Sequence, residues 1–117
     1  VQNIALNYGA QANVNFKSIA PPVYNDQELT SLLSKCAKNF MDEDNIVHLE
    51  NPSLGAEDFA FFLQDVRGTM FRLGVAGEQG CAPLHSGHFS LDERSLELGI
   101  KILSQTIVMA TKTLKNI

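Results

Sequence analysis

Thr69-Met-Phe-Arg-Leu-Gly-Val-Ala76 is the stretch on which the fold turns. Phe71, Leu73 and Val75 alternate onto one side and Met70 onto the other, so the pattern predicts a buried strand over 70–75. Just upstream, Ser53-Leu-Gly-Ala-Glu-Asp-Phe-Ala-Phe-Phe62 predicts a tight glycine turn opening a helix with acids in its first turn. That helix runs over 57–65, with Phe59, Phe62, Leu63 and Val66 as its buried stripe, and Val66-Arg67-Gly68 ends it. Just downstream, residues 76–90 form a long loop with three glycines, which contains Pro83-Leu-His-Ser-Gly-His-Phe89.

Working outward, the last helix starts near Asp92, with Leu96, Ile100, Leu103, Ile107, Ala110 and Leu114 as its core stripe. Ile102, Val108 and Met109 lie off that stripe, so this helix is expected to pack on a sheet and also meet another element. Phe59, Phe62, Phe71, Leu73, Leu96, Ile100 and Leu103 are the expected main core. Towards the N-terminus, Asn25-Asp-Gln-Glu28 resembles a capping box. Leu29, Leu32, Leu33, Cys36 and Phe40 follow it at helical spacing. Asp42–Asn45 is a charged turn, and residues 46–50 predict a short strand broken by Asn51-Pro52. Ile4-Ala-Leu6 before Gly9 predicts a helix end. Residues 12–19 alternate as a half-exposed strand up to Pro21-Pro22, a stiff connector and the best boundary in the chain. Strands alternating with helices predict an α/β fold, helices packed on a small mixed sheet.

The chain has 117 residues, enough for one domain at most. Its net charge of −4 argues against nucleic acid, because phosphate contacts need a basic stripe. No run approaches the roughly 18 apolar residues of a membrane span. The chain opens at Val1 inside a helical pattern, which suggests a piece of a longer protein. Two cysteines make no disulfide framework. A buried Cys36 and a free loop Cys81 suit a reducing, cytoplasmic setting. A catalytic Cys81 would need a base and a lowered pKa, and only the nearby His85 favours it.

His85 and His88, spaced i, i+3 in a polar loop, admit a metal-ligand role, but solvent-facing or capping histidines are the plain reading. His48, within the 46–50 strand, is structural. Glu57 and Asp58 suit the first turn of a helix whatever the function. The Ser53-Leu-Gly55 turn equally offers free N–H groups to an anion at a helix start, with Gly55 allowing close approach. Acidic helix start, core strand and histidine loop together suggest part of a metal-dependent hydrolase.

Four motifs in order carry a resemblance that spans the chain: Pro21-Pro22-Val-Tyr-Asn25-Asp26, Gly55-Ala-Glu57-Asp58-Phe59-Ala60, Leu73-Gly74 and Pro83-Leu84-His85-Ser86. They resemble the C-terminal part of the metal-dependent peptidase–amidohydrolase family of aminoacylases, hippurate hydrolase and indoleacetyl–amino acid hydrolases. The resemblance implies an incomplete part of a two-domain metallo-amidohydrolase that cleaves N-acyl amino acids with two divalent ions (Zn, Mn or Co). Residues 1–20 would end a lid domain that often dimerises, and 21–117 would be the C-terminal part of the catalytic domain. His85 matches the family's last metal ligand. Ser53 to Glu57 matches the loop over the active site that helps hold the substrate carboxylate, with Gly55, Ala56 and Glu57 as its substrate-binding residues. The other ligands and the general-base Glu have no counterpart here, so no catalytic residue is assigned and the chain alone is expected to be inactive. His88 stands where relatives commonly carry Arg or Lys. Expected partners are the small-molecule substrate and either a second copy or the missing N-terminal part.

Overall fold

The computed structural model describes residues 1–113. Among them it shows helices α1 (Gln2–Asn7), α2 (Gln27–Ala37), α3 (Phe59–Phe62) and α4 (Arg94–Thr113), with a 3-10 turn at Glu43–Asn45. The core sits where α2 packs on α4. Leu33, Ala37 and Ile102 are buried there, and Met41, Ile46, Phe71 and Leu98 are half-buried against them. Cys36 is buried on α2 and Cys81 is half-exposed in its loop, both as free thiols, as the sequence suggested.

The cap of α2 is Asp26, whose carboxylate accepts from the Leu29 N–H at 3.0 Å. Asn25, expected in that role, instead pairs with the main chain of Met70. It accepts from the Met70 N–H and donates to the Met70 carbonyl, both at 2.8 Å. The Thr30 and Thr69 hydroxyls meet at 2.8 Å beside it. The start of α2 and the 69–76 stretch are thus tied side by side.

Arg67 grips Asp26 through Nε at 2.8 Å and Nη2 at 3.0 Å, and reaches Glu28 at 2.7 Å. The Arg67 guanidinium first, and the Leu29 N–H second, hold the Asp26 carboxyl down at about 2, against an ordinary 3.8. A carboxyl with a depressed folded pKa stabilises fully above its unfolded value and loses that contribution as it protonates. Helix content should therefore fall as pH drops from about 4 to about 2. Asp26→Asn should lower helicity at neutral pH and remove this acid step in a circular dichroism titration. An acid step unchanged in Asp26→Asn would assign it to another carboxylate.

Helix α4 starts two residues after Asp92, whose carboxylate accepts from the Arg94 N–H at 3.0 Å. Its buried face is Ser95, Gly99, Ile102 and Thr106, not the expected Leu96, Ile100, Leu103 and Ile107, which are exposed. The two stripes differ by one residue, or about 100° of helix rotation. Gly99 brings this face close to the 69–76 stretch: a Cβ there would lie 3.0 Å from Leu73 Cδ2, so any other residue would need Leu73 to give way. Thr106 satisfies its hydroxyl on its own helix by donating to the Ile102 carbonyl at 2.7 Å. Leu114 lies outside the described residues.

The mixed sheet is a correction. Among the described residues the β-pairing is a single bridge between Gly77 and Gly80. The strands expected at 12–19, 46–50 and 70–75 form no ladder. A strand is a shared element, since its N–H and C=O groups need a neighbour's. These candidates do not pair with one another, and only 70–75 keeps the alternation, with Phe71, Leu73 and Val75 half-buried and Arg72 and Gly74 exposed. The helix expected at 57–65 shrinks to α3, and Phe62 is exposed. Gly68 follows it closely packed: a Cβ there would lie 2.5 Å from Leu63 Cδ2, and that side chain would have to shift.

The accessible surface is 10106 Å², against about 6,300 Å² for a compact monomer of this size. The radius of gyration is 19.9 Å, against about 13 Å. The chain therefore leaves much of its apolar surface uncovered, Phe16 and Leu54 almost wholly so.

Candidate functional site

The histidine loop is built from two successive turns. The Ser86 N–H donates to the Pro83 carbonyl and the Phe89 N–H to the Ser86 carbonyl, both at 3.0 Å. In the first turn, Leu84 and His85 are the central residues. His85 has φ +70°, the one positive φ of a non-glycine residue among the described residues. A turn with positive φ at its third position usually takes Gly or Asn there. An imidazole tolerates that backbone better than most side chains, yet still at a strain of order 1–3 kcal/mol. The result is an exposed imidazole carried at the tip of a turn.

His88 belongs to different surroundings. Its N–H donates to Ser86 Oγ at 3.2 Å. It lines an open groove with the Gly77–Ala82 hairpin, Ser90, Leu91 and Asp92, and His85 is not part of that lining. His88 thus lines this groove without His85. His48 is exposed, on an open groove against α2 that Lys35 and Lys38 also line, rather than inside a strand.

Gly55, Ala56 and Glu57 are exposed in the loop before α3. Helix α3 begins only at Phe59, so the 53–55 turn does not open onto a helix start as the sequence suggested. The Glu57 carboxylate instead accepts from the Phe59 N–H at 3.4 Å. The loop is tied to the centre of the molecule by Arg72, which donates from Nη2 to Ser53 Oγ at 2.7 Å. Sequence reasoning missed this contact. Its signal was the single cation on the outward side of the 70–75 alternation.

Among the described residues, no group of three or more His, Cys, Asp or Glu side chains is placed to hold a metal ion. A hydrolytic zinc site takes about three protein ligands and an open position. These residues therefore do not make a metal centre by themselves. No helix among them is long and apolar enough to cross a membrane.

Residues 2–109 match peptidase family M20/M25/M40. The chain belongs to that family. The match takes in both the Ser53–Glu57 loop and the His85 turn, so the resemblance carried by the four motifs holds. "Probable hydrolase sll0100" of Synechocystis sp. is 39% identical over 106 residues, 89% of this chain and 27% of that protein. Thermostable carboxypeptidase 1 of Saccharolobus solfataricus is 40% identical over 102 residues, 85% of this chain and 25% of that protein. IAA-amino acid hydrolase ILR1-like 6 of Arabidopsis thaliana is 32% identical over 101 residues, 81% of this chain and 22% of that protein. This M20/M25/M40 chain thus spans about a quarter of the length of these curated relatives. No solved structure matches it.

Proposed function

We propose that this chain is the C-terminal portion of a metal-dependent hydrolase that cleaves the amide bond of N-acyl amino acids. The family match supports the class, and relatives named as hydrolase, carboxypeptidase and IAA-amino acid hydrolase support amide cleavage. The observation that carries the assignment to a site is the backbone of His85. A strained, solvent-facing imidazole at a turn tip has no packing reason to exist, and such strain gathers where a side chain must be presented.

His85 would supply one neutral imidazole to a pair of divalent ions (Zn, Mn or Co), its remaining ligands and the general base lying elsewhere in the polypeptide. Bound metal would polarise the scissile carbonyl and generate hydroxide at neutral pH. The task of this chain is to present His85 and to frame the Gly55–Glu57 loop near the substrate. Residues 1–20 would close a lid domain that dimerises, and residues 21–117 would complete the catalytic domain. The exposed Leu96, Ile100, Leu103 and Ile107 stripe favours association with the rest of the polypeptide over an independent module. Two free cysteines favour a cytoplasmic setting.

The test is turnover. The complete protein should hydrolyse N-acyl amino acids, lose activity on chelation and regain it with Zn, Mn or Co. The 117-residue chain alone should show none, since removing members of a catalytic unit costs orders of magnitude. Chelator-resistant hydrolysis by the complete protein, or metal-dependent hydrolysis by the isolated chain, would refute the proposal.

A further inference from the structure

The chain is acidic overall, with 13 Asp and Glu against nine Lys and Arg. The groove along α2 departs from that balance. Lys35 and Lys38 line it from the helix, His48 lines it from the extended segment that follows, and no carboxylate is in its lining among the described residues. The groove beside the Gly77–Ala82 hairpin, by contrast, has Glu78 and Asp92 in its walls. Nitrogen groups gathered without acids favour an anion there.

The α2 side of the groove is one helix face, since Ser31, Ser34, Lys35 and Lys38 follow the i, i+3, i+4, i+7 spacing. Two hydroxyls are already engaged. Thr30 donates to the Asp26 carbonyl at 2.7 Å and Ser31 to the Gln27 carbonyl at 2.8 Å, so both serve as wall. Lys38 is paired with Glu43, which holds its ammonium in place and leaves two of its three N–H donors. Lys35 has no carboxylate within ion-pair reach among the described residues. The Ser34 hydroxyl and the His48 ring make no hydrogen bond among them either. Cations in the last turn of a helix offset its unpaired carbonyls, which gives Lys35 and Lys38 a structural role. That role does not account for His48, which lies on another element of the same groove.

The groove measures about 320 Å³, the small end of the range for ligand sites. Two ammonium groups, a hydroxyl and an imidazole offer donors from four side chains. A planar carboxylate has two oxygens to meet them, whereas a phosphate has three or four, and lysine serves phosphate well as a point charge. We propose that this groove binds a phosphate group, free or on a small monoester. The proposal stands apart from the hydrolase reading, because neither His85 nor the Gly55–Glu57 loop lines the groove.

Nitrogen-edited NMR of the full chain tests it, with inorganic phosphate and phenyl phosphate titrated separately at constant ionic strength. Saturable shifts are expected at Ser34, Lys35, Lys38 and His48, with affinity on the order of millimolar. Acetate should bind at least about 10-fold more weakly. Lys35→Ala and His48→Ala should each weaken phosphate binding by about 5- to 10-fold without changing the fold, since both side chains are exposed. Lys35→Arg should keep most of the affinity, because the charge is retained. Lys101→Ala, whose ammonium is paired with Glu97 on α4, should change nothing. Shifts that do not saturate or that spread equally over the exposed lysines would overturn the proposal. So would unchanged affinity in Lys35→Ala or His48→Ala, or acetate bound as tightly as phosphate. Tighter binding of phenyl phosphate than of inorganic phosphate would sustain the site with a small monoester as its ligand. Equal or weaker binding of phenyl phosphate would sustain it with free phosphate.

Discussion

Replacing His85 by Ala in the complete hydrolase should remove one metal ion and lower turnover by about 100-fold or more. The fold should survive, because His85 is exposed in a loop and contributes nothing to the α2–α4 core. His85→Gly separates the two roles of this position more sharply. Glycine adopts φ +70° freely, so it should raise stability by about 1 kcal/mol while losing the metal all the same. A variant that becomes more stable and less active cannot be explained by damage to the fold. His88→Ala should leave metal content and turnover close to the parent's, since His88 lines a separate groove. Metal loss in His88→Ala but not in His85→Ala would mean the ligand lies on the second turn of the loop.

The second large effect concerns the interior. Ile102→Ala or Leu33→Ala should cost about 2–5 kcal/mol, the range of a large-to-small change in a packed core. With so few buried residues, either change should come near to unfolding the chain. Ile100→Ala, on the exposed side of α4, should cost well under about 1 kcal/mol. Urea unfolding followed by circular dichroism compares the three. A large loss at Ile100 with little at Ile102 would turn α4 by one residue and restore the face that hydropathy alone favours.

That contrast shows what hydropathy can and cannot say here. Helix α4 is apolar on two faces, and periodicity picks the richer one. The face it buries carries Gly99, whose missing side chain admits Leu73 closely, and this is a matter of approach distance rather than hydropathy. Helix α2 was legible because periodicity and burial agree, with Leu29, Leu33 and Cys36 inward, although its cap is Asp26 rather than Asn25. The strands were legible as patterns and absent as pairings, because a ladder depends on partners that the described residues do not provide. The Gly55 and His85 motifs pointed to the family, which the match over residues 2–109 supports. The strain at His85 was invisible, since it is a dihedral angle, and the Arg72–Ser53 bridge, which joins residues 19 apart in sequence, was signalled only by the single cation on the outward side of 70–75.

Anomalous diffraction from crystals of the complete metal-loaded protein would locate the ion relative to His85. The expected result is a metal peak about 2.0–2.1 Å from an imidazole nitrogen of His85, the distance of a zinc–histidine bond. A metal peak ligated by His88, or a loaded metal centre from which the His85 ring is turned away, would contradict the assignment of His85 as the ligand this chain contributes.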